Sequence, residues 1–335
     1  MTTSALGVVP TRPVDPGVVR GLFAERIAQS ALWAKATTIA PIVEMGATSG
    51  TMPIDGTYRG VNLQDDATVA TAKAMAGDVY KDLLVTLDTE AYELERYTLG
   101  KYELSYLKAN ALNLDNGVDI EAHVASVFAD KAAALHYYKV ATAITTAGNY
   151  ASGYSADGGN ITSVDFDLIG LVDTAGNKLV DGQAWDGSSA IDVFISRDVL
   201  PYLQNLTQVR NAAGNANANY PTPGEIATWF AAYMPGARVH IDEGRYKAVN
   251  GTITKTSTGS IAFSVPRSGT FGRGNVVTLT GANLGAGILD LRTQENASHA
   301  GGGQDIFADA FYKVHVEDIN GSKSTSGYLA HSLLS

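Results

Sequence analysis

The side chains best suited to acid–base or metal chemistry are six histidines, His123, His136, His240, His299, His315 and His331, scattered along the chain. None has the spacing of a zinc site or a metalloprotease helix. His240 and His315 alternate with apolar residues in strand-like runs, which predicts rings facing solvent or an interface. With no cysteine there is neither a thiol nucleophile nor a disulfide framework, and no G-x-S-x-G elbow occurs. Asp115–Asn116–Gly117–Val118–Asp119 starts like a calcium loop, but its glycine is misplaced and no closing glutamate follows. The carboxylate pairs Asp65–Asp66 and Asp242–Glu243 sit in turn-like stretches and read as solvated charge. The loop from Gly269 to Gly274 carries Arg273; it reads as a bend between strands in preference to an anion site. Trp33, Trp185 and Trp229 are candidate platforms for a sugar ring, although Trp229 beside Phe230 in a helical run reads as core. The sequence therefore predicts no catalytic residue, no cofactor and no metal, and a protein that is not an enzyme.

The elements that would position these residues are unusual for their reach. Asp119 to Ala147 predicts one helix far longer than its neighbours, roughly 40 Å at 1.5 Å per residue. Asp119 can cap its start and Glu121 adds favourable charge to the first turn. Val124, Val127, Phe128, Ala132, Leu135 and Tyr138 make one apolar stripe at three- and four-residue spacing, and Gly148 and Asn149 end the helix.

Upstream, residues 1–17 hold three of the ten prolines and predict an extended arm. Residues 18–35 predict one short helix, with Val19, Leu22, Phe23, Ile27 and Leu32 on one side and little of its own domain to pack on. Residues 36–75 are turn-rich, with period-two alternation at Gly56–Leu63, and predict a long two-stranded projection. Such a ribbon is marginal alone and needs a partner surface. Residues 79–92 begin as a strand, and 89–98 read as extended with a turn at Gly100. Tyr92, Tyr97, Tyr102 and Tyr106 crowd among Glu93, Glu95, Arg96, Lys101 and Glu103, which favours buried rings with hydroxyls at a polar rim over an aromatic binding platform.

Downstream, the glycine-rich loop 148–162 lacks the spacing of a phosphate or dinucleotide cradle. Ser163 is expected to cap a helix carrying Phe166, Ile169 and Val172. Ile191–Ile195 reads as a short buried strand, and Ser196 as the cap of a helix running past Pro201 to about Ala212. Thr222–Pro223–Gly224–Glu225 is a capping box with proline at the first helical position, and a strand through Val239 and Ile241 follows. This is a compact α/β lobe. From 250 on, strands alternate with glycine turns; Phe311–Ile319 alternates cleanly and Asn320–Gly321 reads as a hairpin turn.

At 335 residues and 45% hydrophobic, the chain can bury a sizeable core. Only 17% of residues are charged, below the usual quarter, and 35 are glycine, which points to surface covered by sister subunits. A net charge of −10 makes a poor nucleic-acid binder, since phosphate binding needs a basic face. No run approaches the ~20 apolar residues of a membrane span, and the N-terminus lacks a signal-peptide layout, so the expected location is the cytoplasm of the host cell.

The order of parts resembles the major capsid protein of tailed bacteriophages, with its Hong Kong 97-type fold. The tyrosine- and glutamate-rich approach DTEAYELERYTLGKYELSYLKANALNLD, followed by the long helix, looks like that family's most recognisable stretch. AIDVFISRDVLPYLQNLTQVRN, TPGEIATWFAAYMPGARVHID and DAFYKVHVEDINGSKSTSGYLAHSLL look like its later strands and helices. The resemblance implies an α+β fold with an N-terminal arm at 1–40 and an extended loop at 41–78. A peripheral domain at 79–162 would carry the spine helix 119–147, an axial domain would span 163–262, and return strands at 263–335 would complete both.

It further implies self-assembly as pentamers and hexamers into an icosahedral shell around double-stranded DNA, with no sequence-specific DNA contact. The partners would be a portal protein and a separate scaffolding protein, because the chain starts almost at the arm; a decoration protein is left open. The location would be the virion, assembled in the bacterial cytoplasm. Within that picture Arg59, Asp65, Asp66, Glu95 and Arg96 are candidates for intersubunit ion pairs. Some family members cross-link through a loop lysine; none lies between Lys35 and Lys73, so no such cross-link is expected. The alternatives are a nanocompartment shell of the same fold enclosing protein cargo and, further off, a carbohydrate-binding or hydrolytic α+β protein.

Overall fold

The computed structural model describes residues 16–55, 87–105, 120–182, 184–213, 220–248, 250–267, 273–281, 289–295, 298, 303–317 and 323–334. In chain order the elements are α1 (Pro16–Ala28), α2 (Ala31–Ile39), β1 (Ile42–Met45), β2 (Ser49–Asp55), β3 (Leu87–Glu93), β4 (Glu95–Ser105) and α3 (Ile120–Thr145). Then come β5 (Ser155–Asp157), α4 (Leu168–Asp181), β6 (Ile191–Ile195), α5 (Leu200–Asn205), α6 (Thr207–Ala212), α7 (Pro223–Tyr233) and β7 (Ala237–Ile241). The last are β8 (Arg245–Lys247), β9 (Ile253–Lys255), β10 (Ile261–Ser264), β11 (Val276–Gly281), β12 (Leu289–Glu295), β13 (Gly303–Val316) and β14 (Gly327–His331).

The long helix is present as α3, 26 residues. Its buried side differs from the straight stripe expected. The fully buried residues are Val124, Ala125, Phe128, Ala129, Ala132, Ala133, His136, Tyr137, Val140, Ala141 and Ile144, while Val127, Leu135 and Tyr138 are only partly buried. Buried pairs recur at a strict spacing of four. At 100° per residue, each step turns the buried face by about 40°, so it rotates by roughly 200° between Val124 and Ile144. One helix can therefore serve two cores on different sides. Its first half packs with Val19, Phe23 and Ile27 of α1, Leu99 of β4, and Ile306, Ala308, Ala310 and Tyr312 of β13. Its second half packs with Ala36 and Ile39 of α2, Val276 of β11, and Phe194, Ala262 and Leu329 of β6, β10 and β14.

Two five-stranded sheets flank it. In sheet one, β13 is the hub, pairing antiparallel with β4, β12 and β11, and β1 adds to β11 in parallel. Sheet two runs β5–β14–β10–β6–β7. The core on its helical face includes Leu168, Val172 and Leu179 of α4, Trp229 and Phe230 of α7, and Val193 and Phe263 of the sheet. The chain crosses from sheet two to sheet one between β10 and β11, and back between β13 and β14. The residues expected to form a hairpin turn, Asn320–Gly321, lie outside the described residues, and the strands on either side of them belong to different sheets.

Several local expectations are corrected. The single helix at 18–35 is two, broken before Ser30, whose hydroxyl caps α2 by accepting from Trp33 N at 3.3 Å. Both helices pack on α3 of their own chain. Gly100 does not turn the chain: it lies inside β4 at φ 148°, where the register with β13 shifts, so it accommodates a bulge that a side chain would strain. Asp167, not Ser163, caps α4, accepting from Gly170 N at 2.9 Å. Ser196 caps nothing; its buried hydroxyl bonds to Ser257 and Ser260, and the helix expected behind it is split into α5 and α6 at Leu206. The capping box of Thr222 and Glu225 is present as expected, and the cap expected of Asp119 lies outside the described residues.

Candidate assembly surfaces

Where the chain crosses between the sheets, the buried contacts are polar. Asn275, fully buried, donates to Ser264 Oγ at 3.1 Å and to Tyr150 Oη at 3.4 Å, and accepts from Ser324 Oγ at 2.8 Å. Gly327 passes so close that a Cβ there would lie 2.4 Å from Asn275 Nδ2, so no side chain fits. Asp242 is a second pin. Read as solvated, it is buried, accepting from Tyr137 Oη (2.8 Å), Gly244 N (2.8 Å), Ser257 N (2.9 Å) and Ser257 Oγ (2.5 Å). Tyr137 belongs to α3, so this carboxylate ties the long helix to sheet two. Its neighbour Glu243 is exposed as expected and pairs with Lys35 at 3.0 Å, which holds its carboxyl below the usual range.

His136 sits at the middle of α3, between Trp33 of α2 (ring centroids 4.7 Å) and Tyr312 of β13 (5.4 Å). Its Nε2 lies 2.8 Å from Thr278 Oγ1, which donates to Ala40 O at 3.2 Å. Thr278 therefore accepts from the ring, which makes Nε2 the protonated nitrogen. Nδ1 is buried with no hydrogen-bond partner among the described residues. Burial pushes the ring's pKa down to about 3, so it is neutral near pH 7.

A two-stranded ribbon is present but is not confined to 36–75: β2 pairs antiparallel with β3 from Ser49–Glu93 to Asp55–Leu87, while Ile42–Met45 joins sheet one; the alternating stretch Gly56–Leu63 lies outside the described residues. The base is firmly anchored. Met52 and Tyr92 are buried with Val43, Val277 and Leu279. Arg267, itself buried, donates to Pro53 O at 3.1 Å and pairs with Glu317, whose carboxyl burial pushes up against the pull of Arg267. His315 Nε2 lies 2.8 Å from Glu90 of β3. His315 is thus buried against the ribbon, not solvent-facing. His240 is likewise drawn inward, its Nε2 2.7 Å from the fully buried Asp192, which also binds Arg238 at 2.8 Å.

Of the five candidates for intersubunit ion pairs, Arg59, Asp65 and Asp66 lie outside the described residues. The other two have partners in their own chain. Glu95 accepts from Tyr97, and Arg96 pairs with the buried Asp309, which also binds Arg292. Arg96 additionally lies 5.7 Å over the Phe311 ring. Nothing in the spacing of DAFYKVHV distinguishes the buried carboxylate at 309 from a solvated one; that depends on two arginines from other strands. Arg273 donates to Ser326 Oγ and Thr325 Oγ1; the rest of its loop, 269–272, lies outside the described residues. Trp185 and Trp229 are buried, and Trp33 packs on His136, so none of the three forms an open platform. Among the described residues no group of three or more His, Asp or Glu side chains could hold a metal, and no helix is long and apolar enough to cross a membrane.

No protein-family model matches the chain, and no curated protein sequence matches it. Solved structures do. A phage-related protein from Bordetella bronchiseptica superposes over 96% of this chain and 98% of its own, at 13% identity and a TM-score of 0.67. The capsid of cyanophage P-SCSP1u matches over 88% and 86%, at 10% identity and 0.53. A virus-like particle from Pyrococcus furiosus matches over 94% and 98%, at 10% identity and 0.50. The fold is therefore the α+β, Hong Kong 97-type capsid fold that the sequence resemblance implied.

Proposed function

We propose that this protein is the major capsid protein of a tailed bacteriophage and self-assembles into an icosahedral shell that encloses double-stranded DNA. The observation that carries this reading is the end-to-end superposition on the phage-related protein, 96% of one chain on 98% of the other, together with the fold shared with the cyanophage capsid. The physics of the subunit supports it. A shell subunit must hold its shape while making many modest contacts that sum over a large buried area. Here α3 is a strut roughly 39 Å long, packed on both halves, and the base of the ribbon is fixed to sheet one. In this reading the part of the extended loop beyond Asp55 contributes contacts to neighbours, the lobe on sheet two gathers at five- and six-fold centres, and the net charge of −10 leaves packaged DNA loosely held. A portal protein would complete the particle.

Negative-stain microscopy of the purified chain tests this: closed shells support it, and a protein that stays dispersed refutes it. The base geometry sharpens the test. Deleting 46–60 would cut away Met52 and Pro53, which anchor the ribbon. Asp55 and Leu87 face each other across it, so replacing 56–86 with a two-residue turn spares the anchor. That variant is expected to fold with an unchanged melting temperature and to form no shells. The second reading, a nanocompartment shell, is favoured by the likeness to the virus-like particle; protein cargo sealed inside purified shells would select it.

A further inference from the structure

We propose that the hairpin of β8 and β9 is where this chain touches the phosphate backbone of duplex DNA. The inference rests on the shell reading above, since the DNA is what the shell would enclose, and it names the place where the subunit meets it.

A net charge of −10 speaks against nucleic-acid binding only as an average; phosphates respond to where the cations stand. From Gly244 to Leu289 the chain holds Arg245, Lys247, Lys255, Arg267 and Arg273 and no Asp or Glu, and α3 beyond Asp130 holds no carboxylate either. Arg267 is spent on Glu317, and Arg273 on Ser326 and Thr325. The other three stand on the hairpin.

The register of the hairpin sorts its side chains. Tyr246 lies opposite Thr254, and the Tyr246 ring packs on Tyr138 of α3, centroids 4.7 Å apart. Alternation puts Arg245, Lys247, Ile253 and Lys255 on the other face, away from the helix. Arg245 stands directly across the ladder from Lys255. Like charges so placed destabilise a strand pair, so folding alone does not account for them. Lys255 has Asp198 at 3.6 Å, but among the described residues neither Arg245 nor Lys247 has a carboxylate partner. At the root of the hairpin Glu243 is shared by Lys35 at 3.0 Å and Arg197 at 3.5 Å. The cations Lys35, Arg197, Arg245, Lys247 and Lys255 thus meet Glu243, Asp198 and the buried Asp242, and the patch stays positive in an acidic chain.

A phosphate backbone fits this face better than a protein does. Its apolar member is Ile253, 72% exposed, and one such side chain falls far short of the ~800 Å² per partner of a stable protein interface. Phosphate contacts carry no sequence information, and three cations neutralise few phosphates, so the grip is weak and is released by salt. Such a contact lets DNA slide past while it is packed.

The test is fluorescence anisotropy of the purified full chain, held below its assembly threshold, with a labelled mixed-sequence duplex. On a log–log plot, affinity should fall with salt at a slope of about −3. The pair Arg245→Gln and Lys247→Gln should flatten that slope by about two and weaken binding at least about fivefold at low salt. Both positions are exposed, so its melting temperature should match wild type and microscopy should still find shells. The control pair Lys178→Gln and Lys313→Gln removes the same charge from α4 and β13 and should bind like wild type. A hairpin pair that binds like wild type, or a control pair that loses as much, overturns the proposal while leaving the shell reading intact. A labelled polyglutamate peptide binding more tightly than the duplex also overturns it, and assigns the face to an acidic protein. A wild-type chain that forms no shells overturns the reading beneath it.

Discussion

The two halves of α3 hold their surroundings by different means. The first half is dry: Ala125, Ala129, Ala132 and Ala133 let α1 and sheet one approach closely, and no buried hydrogen bond from these residues is involved. The second half is pinned: His136 reaches Thr278 and Tyr137 reaches Asp242, while just beyond the helix Tyr150 reaches Asn275. Small apolar residues set a distance but tolerate sliding. Buried hydrogen bonds set direction, because a misplaced partner leaves a desolvated group unpaired. The first half thus gives the strut its stiffness, and the second fixes the angle between the two sheets.

The largest expected effect falls on the pinned half. Asp242→Ala strands Tyr137 Oη, Ser257 and the Gly244 N–H at once, and is expected to cost about 3–5 kcal/mol in chemical denaturation. A loss below about 1 kcal/mol would erase the contrast. Next comes acid sensitivity at the change-over between halves. The unfolded chain protonates His136 near its ordinary value of about 6.5, whereas the folded ring resists until about 3. The unfolded state therefore binds more protons in that window, and stability falls as pH drops through it, by on the order of 5 kcal/mol in total. His136→Phe should flatten that part of the pH profile; an unchanged acid limb would count against a neutral, buried ring. In the dry half, Ala129→Leu overpacks the contact and is expected to cost about 1–3 kcal/mol, read as a lower denaturation midpoint. Smallest is Lys35→Ala, which removes a partly exposed pair with Glu243 and should change stability by under about 0.5 kcal/mol.

The same contrast explains what could be read from the sequence. Capping at Thr222, the strand at Ile191–Ile195 and the existence of α3 rest on local patterns, and local patterns decided them. The winding of the buried face on α3 was hidden because a three-and-four stripe and a strict-four stripe share Val124, Phe128 and Ala132. Ser163 and Ser196 have the chemistry of caps, but Asp167 stood nearer the helix start and Ser196 was drawn into a buried hydroxyl cluster. Asp242 looked solvated, and His240 and His315 looked turned to solvent or an interface, because Tyr137, Asp192 and Glu90, which draw them inward, come from residues far along the chain. The assembly candidates were legible only as charges; where Arg96 goes depends on Asp309, more than two hundred residues away.

The most direct test is sedimentation of the full-length chain as its concentration is raised. A shell-forming subunit should jump cooperatively from subunits or small rings to a single fast species with the mass of a closed shell. A lone monomeric species at every concentration would contradict it.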